Sequence, residues 1–211
     1  MSRLALVAAM LCVLPAGAAS LDVEVRDAGG KPVADAAVYA VPASGPVDAR
    51  NARTVAVEQL DREFLPYVTV LQSGTPVAFP NRDPILHHVY SFSPAAPKGF
   101  EIKLYTGNSP EYVFDKPGVV TLGCNIHDWM IAYIVVVPTP HFGRTDAAGL
   151  ARMRDLPAGT YEVRAYHPNQ RAQAASQSAT LDAQASPRFA FVVDTAARKP
   201  RYKPPLDRQR Y

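Results

Sequence analysis

Gly118-Val119-Val120-Thr121-Leu122-Gly123-Cys124-Asn125-Ile126-His127-Asp128-Trp129-Met130-Ile131-Ala132-Tyr133-Ile134-Val135-Val136-Val137 is the stretch on which the reading of this chain turns. Two apolar runs of strand length flank seven residues that carry a thiol, an imidazole and a thioether at the spacing C-x2-H-x2-M. The second run, Met130 to Val137, has no polar face, as expected of a strand covered on both sides. Upstream, His87-His88 opens another short apolar run, Val89-Tyr90-Ser91-Phe92.

One Cys, two His and a weakly held Met form the donor set of a mononuclear blue-copper site. Thiolate selects soft or borderline metals, and imidazole suits copper. A thioether is a poor zinc ligand, since structural zinc sites use Cys, His and carboxylates, so Met130 favours copper over zinc. Strand alternation lets only one of His87 and His88 face an ion.

The N-terminal residues read as a secretion signal. Arg3 gives a positive start, Leu4 to Leu14 is apolar, and Pro15 to Ser20 supplies small residues for cleavage after Ala18 or Ala19. The expected location is therefore the periplasm, with no spanning segment left after cleavage. Of the two cysteines, Cys12 leaves with the signal and Cys124 remains. An unpaired thiol in an oxidising compartment calls for a reason, and metal ligation supplies one.

The chain has 211 residues, with 20 Pro, 12 Gly and few helix-like stretches, so it reads as all-β. The formal net charge of +3 is mild, and no basic groove with interleaved aromatics suggests nucleic acid. Leu21, Val23 and Val25 alternate with Asp22, Glu24 and Arg26, then Asp27-Ala28-Gly29-Gly30 turns, so Leu21 to Val41 is expected to form a β-hairpin. Tyr161, Val163 and Ala165 mark a half-buried strand, and Phe189 to Val193 the last one. Residues 197–211, basic and proline-containing, are expected to be disordered.

The outer segments resemble the carboxypeptidase-regulatory-like, or transthyretin-like, β-sandwich. The resemblance rests on Val25, Asp27, Gly30, Pro32, Val33, Ala36 and Val38, then on Thr145, Asp146, Gly149, Leu156 to Gly159, Tyr161 and Val163. The middle block, from Asn81 to Val89 and from Gly118 to Val137, resembles the cupredoxins of the plastocyanin and azurin superfamily. Its loop spacing is that of the amicyanin type. Together these resemblances imply a Greek-key cupredoxin sandwich inserted into a smaller transthyretin-like one. The expected division is 1–19 signal, 20–53 and 140–196 the split sandwich, 54–139 the copper domain, and 197–211 the tail.

The cupredoxin resemblance assigns roles. It selects His87 as the first ligand, with His88 where the family usually has Asn. Cys124 supplies the thiolate, His127 the second equatorial nitrogen with its ring edge as electron port, and Met130 the weak axial bond. Trp129 reads equally as part of an apolar collar at the port or as core. The implied function is one-electron transfer between Cu(II) and Cu(I), with a redox partner such as an amine-oxidising dehydrogenase or a cytochrome. A copper chaperone or sensor, or a scaffold that copper stabilises, is the alternative. Four protein ligands leave no open position for a substrate, so an enzyme is not expected.

Overall fold

A computed structural model describes residues 19–48 and 52–195. The expected signal, apart from Ala19, and the expected basic tail lie outside the described residues. The described chain is built from strands, in three stages. It opens with β1 (Ala19–Asp27) and β2 (Ala37–Pro42). Ten strands follow: β3 (Val55–Ala56), β4 (Glu58–Leu60), β5 (Glu63–Leu65), β6 (Val68–Gln72), β7 (Thr75–Ala78), β8 (His87–Tyr90), β9 (Glu101–Tyr105), β10 (Tyr112–Phe114), β11 (Gly118–Cys124) and β12 (Ile131–Val137). The chain then returns through β13 (Phe142–Arg144), β14 (Leu150–Leu156), β15 (Gly159–Tyr166), β16 (Ala175–Leu181) and β17 (Arg188–Val193).

The first and last stages build one sandwich. A sheet ordered β14-β1-β17 faces a sheet ordered β13-β2-β15-β16. Alternation supplies the core: Leu21, Val23 and Val25 from β1 meet Val38 and Ala40 from β2, Tyr161, Val163 and Ala165 from β15, and Phe191 and Val193 from β17. The expected hairpin over Leu21 to Val41 is not present. β1 pairs antiparallel with β14 and parallel with β17, whereas β2 pairs with β13 and β15. The alternating pattern assigns a strand a buried face, and that face is equally well covered from the opposite sheet. The turn itself forms: Asp27 Oδ1 accepts from the amides of Gly29 and Lys31, each at 2.9 Å.

The two distant motifs of this sandwich meet in space. Thr145 donates its hydroxyl to the Val33 carbonyl at 2.7 Å and accepts the Ala36 amide at 2.9 Å. Gly149, at φ +74°, stands so close to β1 that a Cβ would lie 2.5 Å from the Val25 carbonyl oxygen.

The middle stage builds a second sandwich. A five-stranded sheet ordered β6-β12-β11-β8-β9 covers the sheet β10-β7-β3 and the hairpin β4-β5. Phe79, Phe100, Phe114, Leu71, Leu122 and Ile134 are central to its core. β12 explains the unbroken apolar run. Ala132, Ile134 and Val136 face this core, while Val135 and Val137 join Ala37 and Val68 in a separate buried cluster. Tyr39, Tyr67, Phe142 and Tyr166 pack against that cluster, so the outer face of β12 is covered by the flanking sandwich.

Candidate metal centre

The site forms where β8 and β11 lie side by side. Cys124 pairs with Val89 and Gly123 with Tyr90 in an antiparallel ladder. Cys124 is the last residue of β11, and the chain then turns through Asn125 to Met130 into β12. The amide of Met130 donates to the His127 carbonyl at 2.9 Å, closing this loop on itself. The amide of Asn125 donates to the His88 carbonyl at 3.1 Å. The segments that carry His87 and Cys124 are therefore joined through main-chain atoms, although the residue after His87 is His and not Asn.

Alternation along β8 separates the two histidines. His87 is fully buried, and His88 turns to the other face, where its Nε2 lies 2.8 Å from Glu101 Oε1. His87, Cys124 and His127 come together, all buried. His87 Nδ1 lies 3.1 Å from His127 Nδ1 and 3.9 Å from Cys124 Sγ. His127 Nδ1 lies 3.5 Å from the same sulfur. Met130 is buried in the same apolar core as Cys124.

These spacings fit an ion at the centre of the triangle. A first-row metal about 2.0–2.3 Å from each of three nitrogen or sulfur donors in a plane spreads them roughly 3.5 Å apart. The ring orientation fits as well. His87 Nε2 lies 2.8 Å from Asp83 Oδ2, so a neutral ring donating there presents a bare Nδ1 to the sulfur. The donor set of two imidazole nitrogens and one thiolate sulfur belongs to soft and borderline metals.

Asp83 is a member of the site that the sequence reading missed. Its Oδ1 accepts the Asp61 amide at 2.7 Å, and its Oδ2 accepts the Arg62 amide at 2.8 Å. Burial raises the carboxyl's proton affinity, but the hydrogen bonds from His87, Arg62 and Asp61 outweigh it and hold Asp83 below the ordinary carboxylate value. The only available signal was a carboxylate four residues before His87, which carries no meaning outside a helix. Asn81 braces the same segment. Its side chain donates to the Ile85 and Tyr105 carbonyls at 2.8 and 2.7 Å and accepts the Asp83 amide at 3.0 Å. Behind it, Tyr105 donates to the Phe79 carbonyl, and burial pushes its hydroxyl up to about 12.

His127 leaves only 4% of its surface exposed, so its outlet to solvent is narrow. The Trp129 ring stands 5.2 Å from the His127 ring. Trp129 packs against the central core and its indole N–H donates to the Arg62 carbonyl at 3.1 Å, so it is both wall and fastening. A cleft of about 390 Å³ reaches Cys124 and Met130 between Tyr90, Phe92 and Asp128. Of the two remaining histidines, His141 stacks edge-on to Tyr161 and His167 accepts the Asn169 amide, both remote in sequence from the cluster.

No protein-family model matches the chain, and no curated protein does. Among solved structures, it is similar to a copper-containing nitrite reductase from Thermus scotoductus, at 25% identity over 44% of this chain and 25% of that one, with a TM-score of 0.38. The matched part thus spans a quarter of the reductase. It is also similar to a purple cupredoxin from Nitrosopumilus maritimus, at 20% identity over 41% of this chain and all of that one, TM-score 0.34. A reduced amicyanin mutant matches at 16% identity over 47% of this chain and 98% of its own, TM-score 0.37.

Proposed function

We propose that the protein is a one-electron carrier holding a single type 1 copper ion through His87 Nδ1, Cys124 Sγ and His127 Nδ1, with Met130 as the axial ligand. The observation that carries this reading is the convergence of two imidazole Nδ1 atoms on one thiolate sulfur within 3.9 Å, all three groups buried. Copper supplies the reversible one-electron couple; the chain supplies its constraint. Cys124 is paired with Val89 and His87 with Tyr105 in one sheet, and Asp83 holds the His87 ring, so the donors need to move little between oxidation states. Trp129 beside His127 gives the electron an apolar exit.

The C-x2-H-x2-M spacing extends the proposal to an amine-oxidising dehydrogenase as electron donor, because that spacing resembles the amicyanin type. Export to the periplasm is proposed from residues 1–18. β1 begins at Ala19, which is fully buried and paired with Leu156, so cleavage after Ala18 leaves that strand whole. The domain division is proposed on the same basis, with 54–139 as the copper domain between two pieces of the flanking sandwich.

The visible spectrum of the oxidised, copper-loaded protein tests the function. An intense thiolate-to-copper band, with reversible voltammetry, is expected. A colourless protein that takes up only Cu(I) and yields it to a competing apo-protein would instead make it a chaperone.

A further inference from the structure

The hairpin β4-β5 meets Asp83 and Trp129, the neighbours of the two buried histidines, through one two-residue turn. Leu60 pairs with Glu63, so Asp61 and Arg62 are the loop. Both have positive φ, 54° and 58°, the left-handed geometry of a type I′ turn. Such turns usually carry Asn or Gly, and neither is present here.

The strained turn has its polar groups taken up by the metal centre. Its two amides point at the Asp83 carboxylate, at 2.7 and 2.8 Å, and Asp83 Oδ2 also meets His87 Nε2. The carbonyl of Arg62 faces the other way and accepts the Trp129 indole N–H at 3.1 Å. Trp129 lies two residues beyond His127, with the rings 5.2 Å apart. One residue, Arg62, is thereby fastened through its amide to Asp83, which meets the His87 ring, and through its carbonyl to Trp129 of the His127 loop. The Arg62 guanidinium carbon lies 6.0 Å from the centre of the same indole ring, over its face.

We infer that the Asp61-Arg62 turn is a shared clamp on the two histidine segments, and that Trp129 is a positioning residue that sets their separation through it. The inference rests on the reading that His87 and His127 hold copper. A clamp of this kind opposes the outward movement that a reduced ion, content with fewer ligands, would allow. Loosening it shifts the couple toward the reduced form.

A double-mutant cycle tests this on the full chain, using Asp83→Asn and Trp129→Phe. Phe keeps one aromatic ring against the core and removes the N–H donor along with the second ring. In the metal-free protein, urea denaturation of the four variants is expected to show a coupling of about threefold or more in the unfolding equilibrium constant, as for residues sharing a partner. Hydrogen exchange at the Arg62 amide is expected to quicken about fivefold in Trp129→Phe, with the Leu122 amide unchanged. In the copper-loaded protein, Trp129→Phe is expected to raise the potential by up to about 59 mV, a tenfold change in the ratio of oxidised to reduced protein. Additive unfolding energies together with unchanged Arg62 exchange would overturn the clamp. Failure of the wild-type protein to bind copper would sink the carrier reading, while the metal-free cycle would still decide whether the turn couples the two segments.

Discussion

The two sandwiches use buried polar groups differently. In and beside the flanking sandwich, Thr145 and the linker residue Thr139 are buried to serve the backbone: each hydroxyl bonds a main-chain carbonyl, of Val33 and Ala40. In the central sandwich, Gln59, Asn81, His87 and His127 are buried together with a nearly buried Asp83, and the His87 ring meets both the His127 ring and the Asp83 carboxylate. Both buried side-chain oxygens without a hydrogen-bond partner among the described residues, Gln59 Oε1 and Thr69 Oγ1, are in the central sandwich. Burying a polar atom unpaired costs about 1–3 kcal/mol.

The largest effect that separates the two regions is expected from Cys124→Ser. It removes the soft donor from the triangle, so the visible band should vanish while the flanking sandwich keeps its circular dichroism. His87→Gly should likewise abolish the band, and His88→Gly should leave it, because His88 faces Glu101. A band lost in His88→Gly but kept in His87→Gly would reverse the ligand assignment.

Next comes Leu156→Ala, at a fully buried position in the flanking core. It should cost about 2–5 kcal/mol by urea denaturation. The copper spectrum should not change, and a changed spectrum would mean that the two sandwiches are not separable in function. Gly149→Ala should be milder, costing more than about 1 kcal/mol. It combines a φ of +74° with a new contact on the Val25 carbonyl.

The smallest effect is with pH. Burial pushes His141 and His167 below the ordinary value of 6.5, with Asp35 pulling His167 partly back. Below pH 6.5 the unfolded chain therefore binds more protons at these positions than the folded one. The stability they contribute is complete above about 6.5 and declines as pH falls toward their folded values. Asp83 is also depressed, from 3.8, so its contribution is present above about 3.8 and is lost only as pH falls through its lower folded value. Metal-free protein titrated from pH 7 to 4 should thus lose part of its stability to these two histidines. His167→Gln should flatten that decline, and an unchanged slope would remove His167 from the account.

The local parts of this molecule were legible and the non-local parts were not. The Met130 to Val137 run announced a strand covered on both faces, and the alternation at Tyr161, Val163 and Ala165 announced a half-buried one. Leu21 to Val41 misled, because its two strands share a pattern but join different sheets. β4 and β5, three residues each, carry no periodicity long enough to read, and their turn lacks the usual Asn or Gly. The Asp83, Arg62 and Trp129 contacts were hidden for the same reason.

The sequence alone determined an all-β chain and three donor side chains within seven residues, since ligand chemistry and strand periodicity are properties of neighbours along the chain. Only the tertiary structure decided that His87 faces the sulfur and His88 does not, and that both Nδ1 atoms point inward. It alone placed the Asp61 and Arg62 amides on the Asp83 carboxylate that meets the His87 ring, and the Arg62 carbonyl on Trp129. Those facts depend on which strands lie side by side, and the pairing of strands is settled by how whole faces are covered.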